Sequence, residues 1–478
     1  MAKTFTKNQP AINITMVGFG QAGTRMADRF AAFKREDNTS VYNCIALNSN
    51  DGDLAGLKNI STNNRVSLEL GGLGKNPEEA IHILEKNEKA KEKLKSFIQG
   101  RIRPQDDLVM FFAGLGGGTG TSTIVKAIEE FYDYNNKPKI IEEFNLIRKE
   151  IGDAEVKANA KKYLKEASIR ARKKFIKIGV VVTIPTRADG PDALRQVNNF
   201  AQQIWDIAKN PNKGVAFVVF ADNQHFYDEF KQLPENSRNG IDNYRDYANN
   251  EIAEIFHELN TATTGGGTAV TFDSADFRRV ILEHTGSLVI SRFSKPSNTV
   301  RNGHDVTGMF KEAIESSNLH QPIQLFDKET NTSARIHHIG LLAILDKSND
   351  IGSSFIDDAR EEIIEKLPLN GTVFSGYLEE KNNFSTSVYT FFKADALPER
   401  LAKGLVKEYE DFKARQQTVS YQQSVISSIA AANDDEDFDL DFEELGLGEF
   451  MSSEKTADKN DKENDIDLDA IDLSLLDD

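Results

Sequence analysis

A glycine-rich segment at 114–123, with the sequence GLGGGTGTST, has the residue types of an anion site. An apolar run at 108–113 leads into it, and a helix-compatible stretch at 122–128 follows. A strand that feeds a glycine turn and then a helix leaves backbone N–H groups free where the helix dipole favours negative charge. Glycine also lets phosphate oxygens approach, because it has no Cβ. We therefore predict phosphate contacts from Gly116, Gly117, Gly118, Thr119, Gly120 and Thr121.

A second glycine motif, Gly18-x-Gly20-x-x-Gly23, matches the dinucleotide-binding fingerprint. A dehydrogenase of that type needs Asp or Glu at the end of the second strand to hold the ribose, and Asn48 stands there. Such an enzyme also has no use for a second glycine cradle at 116–118. A Rossmann-type dinucleotide-binding enzyme is therefore the less favoured alternative.

Two acids, Asp273 and Asp276, are three residues apart at the predicted start of a helix. Residues with this spacing project from one helical turn, so both carboxylates can face one water molecule. The alternative is structural, with Asp273 as a helix N-cap and Asp276 as an acid that stabilises the helix dipole.

Composition excludes several classes of protein. The chain has 478 residues, of which 39% are hydrophobic and 28% charged, as expected for a soluble protein of two or three domains. Its single cysteine, Cys44, allows no intramolecular disulfide, and its eight histidines show no metal-ligand spacing. No apolar run reaches the ~18 residues of a membrane helix. We therefore expect a cytoplasmic protein without a membrane span.

The net charge of −17 belongs almost wholly to one end of the chain. Residues 434–478 contain 19 Asp/Glu and 3 Lys, a net of −16, which leaves −1 for the remainder. A nearly neutral body argues against direct nucleic-acid binding. Residues 133–177 carry 13 Lys/Arg and 7 Asp/Glu, a net of +6, and their pattern predicts an inserted, solvent-facing helical arm.

Alternating strand and helix patterns predict an α/β fold with a parallel, doubly wound sheet. The glycine motif at 18–23 is predicted to turn into a first helix that runs to about residue 35, and a long helix is predicted from about 244 to 259. A second α+β region follows, with strands predicted at 287–292, 336–345, 372–378 and 387–392. The predicted divisions are 1–242 (with the insertion 133–177), 243–260, 261–397, 398–433 as a long C-terminal helix, and 434–478 as a disordered acidic tail.

The segment GGGTGT at 116–121 resembles the phosphate-binding signature of the tubulin/FtsZ superfamily of GTPases. Other loops resemble that superfamily in the same chain order, at 18–23, 48–51, 71–77, 181–190 and 222–223. The resemblance implies a Rossmann-like GTPase domain, a central helix and a smaller α+β domain. It covers about residues 12–300 by motif and 300–430 by architecture alone.

The resemblance also implies GTP or GDP with Mg²⁺ as ligands. It implies that Asn223 and Asn249 read the guanine edge and that Asp189 holds the ribose. Tyr244 or Tyr247 would stack on the base, a choice that the sequence leaves open. The remaining residues implied to contact nucleotide are Gly18, Gly20, Gln21 (also near the metal), Ala22, Asn48, Gly72, Gly74, Lys75, Asn76 and Arg195.

In this superfamily the catalytic acids act on the nucleotide of the adjacent subunit. Asp273 and Asp276 are thereby implied to orient water in trans within a head-to-tail filament. Within the superfamily, the stretch 247–260, Asn50, Thr271 and the long C-terminal helix point to the TubZ/PhuZ group. That group positions or segregates phage or plasmid DNA, which implies the cytoplasm of a bacterium or an infected host. A division-type FtsZ is the alternative, and a static GTP-binding scaffold is a third. The acidic tail is either a solubilising segment or a docking peptide for a neighbouring subunit or an adaptor.

Overall fold

The fold is described from a computed structural model. It covers residues 5–415, apart from 7–8, 74–75, 236–237, 239, 264–267, 315–322, 324, 328–331 and 382. The described residues up to 409 belong to one compact unit, and residues 410–415, which are helical, belong to a second. The acidic tail, the second half of the predicted C-terminal helix and the glycines at 265–267 lie outside the described residues.

The described strands are numbered in chain order. They are β1 (Phe5–Thr6), β2 (Ile14–Phe19), β3 (Lys34–Arg35), β4 (Asn43–Asn48), β5 (Arg65–Ser67), β6 (Leu108–Gly114), β7 (Lys177–Ile184), β8 (Val215–Asp222), β9 (Ser287–Pro296), β10 (Phe326–Asp327), β11 (Thr332–Ser333), β12 (Ile336–Asp346), β13 (Leu369–Glu380) and β14 (Ser385–Ala394). Ten of them form one sheet, in the order β13-β12-β14-β9-β8-β7-β6-β2-β4-β5.

The described α-helices are α1 (Gly20–Phe30), α2 (Asp51–Ala55), α3 (Pro77–Lys86), α4 (Glu88–Arg101), α5 (Gly118–Phe131), α6 (Lys137–Ile151), α7 (Asp153–Ala158), α8 (Ala160–Arg172), α9 (Pro191–Lys209), α10 (Asn223–Gln232), α11 (Tyr244–Ala262), α12 (Ser274–Leu282), α13 (Gly303–Ile314) and α14 (Phe355–Lys366). None of the helices in the described part of the chain is both long and apolar enough to cross a membrane.

The predicted parallel sheet is confirmed from β5 through β9, because each neighbouring pair in this half runs parallel. The central strands are mostly apolar: every residue of β8 is buried, as is nearly every residue of β6 and β7. Burial on both faces is what a parallel sheet covered by helices requires. The carboxyl ends of β2, β6, β7 and β8 therefore lie along one edge, which we call the carboxyl edge; the opposite one is the amino edge.

The four strands predicted after residue 268 extend the same sheet. β9 joins β8 where Ser287 pairs with Val218. β14 then runs antiparallel to both β9 and β12, and β13 runs parallel to β12. A second apolar core forms on this half, with Phe310, Leu341 and Phe355 among its fully buried members.

Two local predictions were wrong. The first helix ends at Phe30 rather than near residue 35, because Phe30 and Phe33 turn inward to form edge-on ring contacts with Tyr42. The arm at 133–177 is helical but not simply solvent-facing. It buries one apolar face that includes Ile140 and Leu164.

Candidate nucleotide site

A cavity of about 370 Å³ opens at the carboxyl edge, where β2, β6, β7 and β8 end. The loops after all four strands and the start of α11 contribute to its walls. Ligand sites in open parallel sheets lie at this edge, because the loops there converge. The predicted site residues that line the cavity are Gln21, Ala22, Gly116, Gly117, Gly120, Asp189 and Asn223.

One end of the cavity is made of backbone. Helix α5 starts at Gly118, and its N-cap Gly117 makes no side-chain capping bond, so the first N–H groups are available to a ligand. Gly116 has a φ of 133°, which side chains with a Cβ rarely adopt. The Thr121 hydroxyl donates to the carbonyl of Gly114 at 3.1 Å, so it braces the turn. This arrangement suits phosphate oxygens, which need converging N–H donors.

A second helix N-terminus meets the first. Helix α1 begins at Gly20, whose φ is 64°, and a Cβ there would lie 2.6 Å from the amide nitrogen of Gly120. Only glycine permits this approach of two backbones. Because both helices point their positive ends into the same place, the site favours an anion more than one helix would.

The other end of the cavity carries side chains. Asp189 accepts hydrogen bonds from the Thr186 amide at 3.0 Å and hydroxyl at 2.9 Å, which hold its carboxylate at the cavity wall. Asn223 is the first residue of α10, directly after β8. An amide and a carboxylate at this end can bond a base edge and ribose hydroxyls.

Of the two tyrosines left open, Tyr244 lines the cavity. Tyr247 instead packs its ring against Phe226 and Phe230, with centroid distances of 6.3 and 5.7 Å. The structure therefore favours Tyr244 as the residue that would stack on a base.

Two arginines in the cavity wall were missed from the sequence, Arg25 and Arg245. Arg25 follows Gln21 by four residues in α1, and this spacing puts the two side chains on one helix face. That signal was available, but it becomes meaningful only once Gln21 is known to face a cavity. Arginine at this position can pair with phosphate.

The two predicted acids lie on α12, away from the cavity. Asp273 is the N-cap and accepts from the amides of Ala275 and Asp276 at 2.8 and 2.9 Å, while the Asp273 amide faces the Asp276 carboxylate in a capping box. Burial raises the pKa of Asp276, and the neighbouring Asp273 carboxylate raises it further. A carboxylate with a raised pKa is a better proton acceptor.

Helix α12 is held at the amino edge of the sheet. The Arg278 guanidinium donates to both carboxylate oxygens of Asp107, at 2.6 and 2.7 Å. Asp107 directly precedes β6, whereas Gly114 at the other end of β6 lines the cavity. The 7 residues of β6 separate these ends by roughly 20 Å at about 3.3 Å per residue. The cavity and α12 therefore lie at opposite edges.

A histidine cluster was also missed, because His284 follows α12 while His337 and His338 begin β12. Ligand atoms of Glu283, His284 and His338 lie within 4.8 Å of one another. However, the Thr372 amide donates to Nδ1 of His338 at 3.2 Å, which leaves the neutral ring's proton on Nε2. That Nε2 faces the Glu283 carboxylate at 3.3 Å. A ring nitrogen that carries a proton cannot bind a metal ion, so we do not assign this cluster as a metal site.

We next compared the chain with known proteins. No family model matches the chain. The chain is 26% identical over 313 residues to the tubulin-like protein TubZ of Bacillus cereus, covering 62% of this chain and 60% of that protein. It is 22% identical over 454 residues to TubZ of Bacillus thuringiensis subsp. israelensis, covering 88% and 83%.

Solved structures show the same fold. A GTPγS-form protofilament of Bacillus thuringiensis serovar israelensis TubZ matches with a TM-score of 0.65 and 17% identity, covering 88% of this chain and 94% of that one. A type III plasmid segregation TubZ matches with a TM-score of 0.60 and 17% identity, covering 86% and 94%. The chain is a tubulin/FtsZ-superfamily protein. Within that superfamily it is close to TubZ.

Several predicted contacts of this tubulin/FtsZ-type site stand beside the cavity. Gly18 lies within β2, and Thr119 in the first turn of α5 donates its hydroxyl to Ser49 at 2.9 Å. The side-chain amide of Asn48 donates to the Asp53 carboxylate at 3.2 Å. These residues shape the loops, and their roles toward a nucleotide stay predictions.

The rest are not among the residues that line the cavity, or they lie outside the described residues. Asn249 is buried in α11, and Arg195 is exposed on α9. Asn76 caps α3 by accepting from the Glu79 amide at 3.2 Å. Gly72 lies in the loop before α3, while Gly74 and Lys75 in that loop are outside the described residues.

Proposed function

We propose that this chain binds GTP and GDP in the carboxyl-edge cavity, assembles head to tail, and hydrolyses GTP where two subunits meet. The observation that carries the proposal is the separation of the cavity from Asp273 and Asp276. Because the two lie at opposite edges, one copy cannot bring its acids to its own nucleotide. Stacking copies along one direction brings the amino edge of one to the carboxyl edge of the next.

Each part of the site has a role in this reaction. Backbone N–H groups at Gly116, Gly117 and Gly118 hold the phosphates, and Tyr244, Asp189 and Asn223 fix the nucleoside. Asp273 and Asp276 of the adjacent subunit orient water toward the γ-phosphate, and Asp276 accepts its proton.

The site offers Mg²⁺ one side-chain oxygen, that of Gln21, beside the phosphates. Phosphate oxygens are hard ligands, and the Gln21 side chain, which lines the cavity, offers one more oxygen. Mg²⁺ binds phosphates with few protein ligands, so phosphate oxygens and the Gln21 amide oxygen would hold it. It would neutralise charge on the phosphates.

The test is the dependence of GTP turnover on protein concentration. If the acids act in trans, turnover per subunit rises steeply through the concentration at which filaments appear by light scattering. A dilution-independent rate would refute trans catalysis. Assembly with GTP but no hydrolysis would support the static scaffold instead.

For the cellular role, we propose positioning or segregation of plasmid or phage DNA by the filament in the cytoplasm. Support comes from the likeness to a plasmid segregation TubZ and to other TubZ proteins. The near-neutral body makes an adaptor the contact to DNA. Loss of a low-copy plasmid or phage centring on deletion of the gene tests this role, and a division defect would favour a division-type FtsZ.

We further propose that the acidic tail docks on a basic groove of a neighbouring subunit. The groove comprises Lys139, Arg172, Lys173 and Lys177, which line adjoining cavities of about 620 and 910 Å³ at the amino edge. Burial lowers the pKa of Lys139, Arg172 and Lys177. Asp106, Asp107, Glu283 and Asp395 also line these cavities, but within the described residues no carboxylate forms an ion pair with the four cations. Desolvated cations that are not paired with a carboxylate favour an anionic partner.

Deleting 434–478 should raise the critical concentration and flatten its dependence on salt. Arg172→Gln with Lys177→Gln should do the same, because each removes charge from the groove. The control is Lys149→Gln with Lys157→Gln, which removes equal charge from exposed parts of the arm. If tail deletion leaves assembly unchanged but ends plasmid retention, an adaptor is the partner.

A further inference from the structure

One buried arginine joins the C-terminal segment to the cavity wall. The Arg400 side chain is 5% exposed. Its Nη1 donates to the Asp222 carboxylate at 2.5 Å and to the Pro185 carbonyl at 2.9 Å. Asp222 ends β8, and Pro185 directly follows β7. A single guanidinium therefore ties together the ends of two neighbouring strands at the carboxyl edge.

The same guanidinium closes a ring of hydrogen bonds, which we call the Arg400 ring. Its Nε and Nη2 donate to Glu408 at 3.2 and 3.0 Å, and Glu408 also accepts from the Arg187 side chain at 3.0 Å. The Arg187 amide donates to the Gln224 side chain at 3.0 Å. The backbone amide of Gln224 donates to the Asp222 carboxylate at 2.9 Å, which closes the ring.

The ring lies behind the residues that face the cavity. None of its five members is among the cavity-lining residues, but they flank two that are. Asn223 lies between Asp222 and Gln224 in sequence, and Asp189 ends the 3₁₀ turn that Arg187 begins. The ring thus fixes the backbone around both side chains without touching a ligand.

Arginine suits this task physically. Its planar group presents N–H donors in fixed directions, so partners on three segments are held at set angles. Burial makes the charge costly unless every partner stays in place, and here two carboxylates and a carbonyl meet it. The arrangement is therefore stiff, and stiffness behind a recognition side chain supports specificity.

We propose that Arg400 is a positioning residue for base selection, fixing Asn223 and Asp189 so that the cavity prefers guanine nucleotides. This inference rests on the proposed function. It also predicts that the C-terminal segment and the base-binding end of the cavity are coupled, because Glu408 accepts hydrogen bonds from both Arg400 and Arg187.

The test compares Arg400→Gln with Lys403→Gln by calorimetric titration of full-length protein with GDP and with ADP. Both changes remove one positive charge from the same helical segment, but Lys403 is exposed and outside the ring. The preference for GDP over ADP should fall about tenfold in Arg400→Gln, a typical coupling between sites, and stay unchanged in Lys403→Gln. A general loosening would weaken both nucleotides and leave the ratio intact.

If Arg400→Gln does not fold, the same titrations are made with Glu408→Gln, which keeps the Asp222–Arg400 contact. It opens the ring on one side, so the ratio should fall about threefold, as expected for one weakened hydrogen-bonded group. If the wild type shows no preference for GDP, the proposed function fails and this inference with it. If the wild type prefers GDP and the folded variants keep the full ratio, only the role of Arg400 is overturned.

Discussion

The two edges of the parallel sheet differ in which hydrogen-bonding groups the protein leaves unused. At the carboxyl edge, α1 and α5 begin on glycines without side-chain caps, so backbone N–H groups face the cavity. At the amino edge, side chains are tied in pairs: Arg278 to Asp107, and Asn260 to the backbone of Ile12 at 2.9 and 3.0 Å.

The difference separates two demands on one fold. Binding an anion requires donors that the protein itself does not use, so the carboxyl edge leaves them to glycine and helix ends. In the proposed mechanism, acids presented to a neighbouring molecule need a helix that does not shift, and at the amino edge side-chain hydrogen bonds hold α12. Four substitutions test this contrast.

The largest effect should come from Gly117→Val. Gly117 has extended backbone angles, and a Cβ there would lie no closer than 4.0 Å to its neighbours, so the fold accepts valine. The side chain would nevertheless fill the phosphate end of the cavity. GTP affinity measured by titration should fall about a hundredfold through lost charge-assisted hydrogen bonds. Gly308→Val, an equal change in α13 with open space around it, should bind normally.

Asp273→Asn should lower GTP turnover by about a hundredfold, the scale of one lost electrostatic contact to a transition state. Asparagine remains a good N-cap, so α12 stays formed and nucleotide affinity is unchanged. Filaments should persist longer in GTP, which sedimentation would show. Full activity in this variant would remove Asp273 from the mechanism.

Mixing the two variants sharpens the contrast further. Asp273→Asn subunits keep a working cavity, and Gly117→Val subunits keep working acids. In mixed filaments of equal parts, about a quarter of the seams would pair an intact cavity with intact acids. Turnover should reappear on mixing. Continued inactivity of filaments shown to contain both variants would contradict the division between edges.

The amino edge should lose stability in mild acid. His257 stacks on Phe33 with centroids 3.8 Å apart, and burial lowers its pKa to about 4 from 6.5. Between pH 6.5 and 4, the His257 imidazole is therefore protonated in the unfolded chain but neutral in the folded chain. Stability is full above this window and is lost as pH falls, by about 2 kcal/mol at pH 5. Urea unfolding at pH 7.5 and 5 measures this loss, which His257→Gln should reduce.

The smallest effect should come from Arg278→Met. The pair with Asp107 is partly exposed, at 39% and 24% of the two side chains, so its loss should cost only about 1 kcal/mol in urea unfolding. Turnover should fall more than stability suggests, because α12 carries the acids. Arg279→Met, which removes the exposed pair with Glu283, is the control. Equal turnover in both variants would mean that the Asp107 contact does not position α12.

Much of the nucleotide-binding half could be predicted from the sequence. The apolar run before Gly114 becomes β6, and α5 starts within the glycine segment, because a buried strand and a glycine turn are encoded by neighbouring residues. Long-range partners could not be predicted in the same way. Arg400 lies 178 residues from Asp222 in sequence, and no local pattern marks their contact.

The sequence by itself determined the strand–glycine–helix units and the charge of the tail, since backbone preference and composition are local properties. Only the tertiary structure placed Tyr244 rather than Tyr247 at the cavity and set α12 at the opposite edge from it. It also brought Arg400 behind the cavity wall. Those placements depend on which strands pair and which helices pack together, and such pairing joins residues that have no short-range influence on one another.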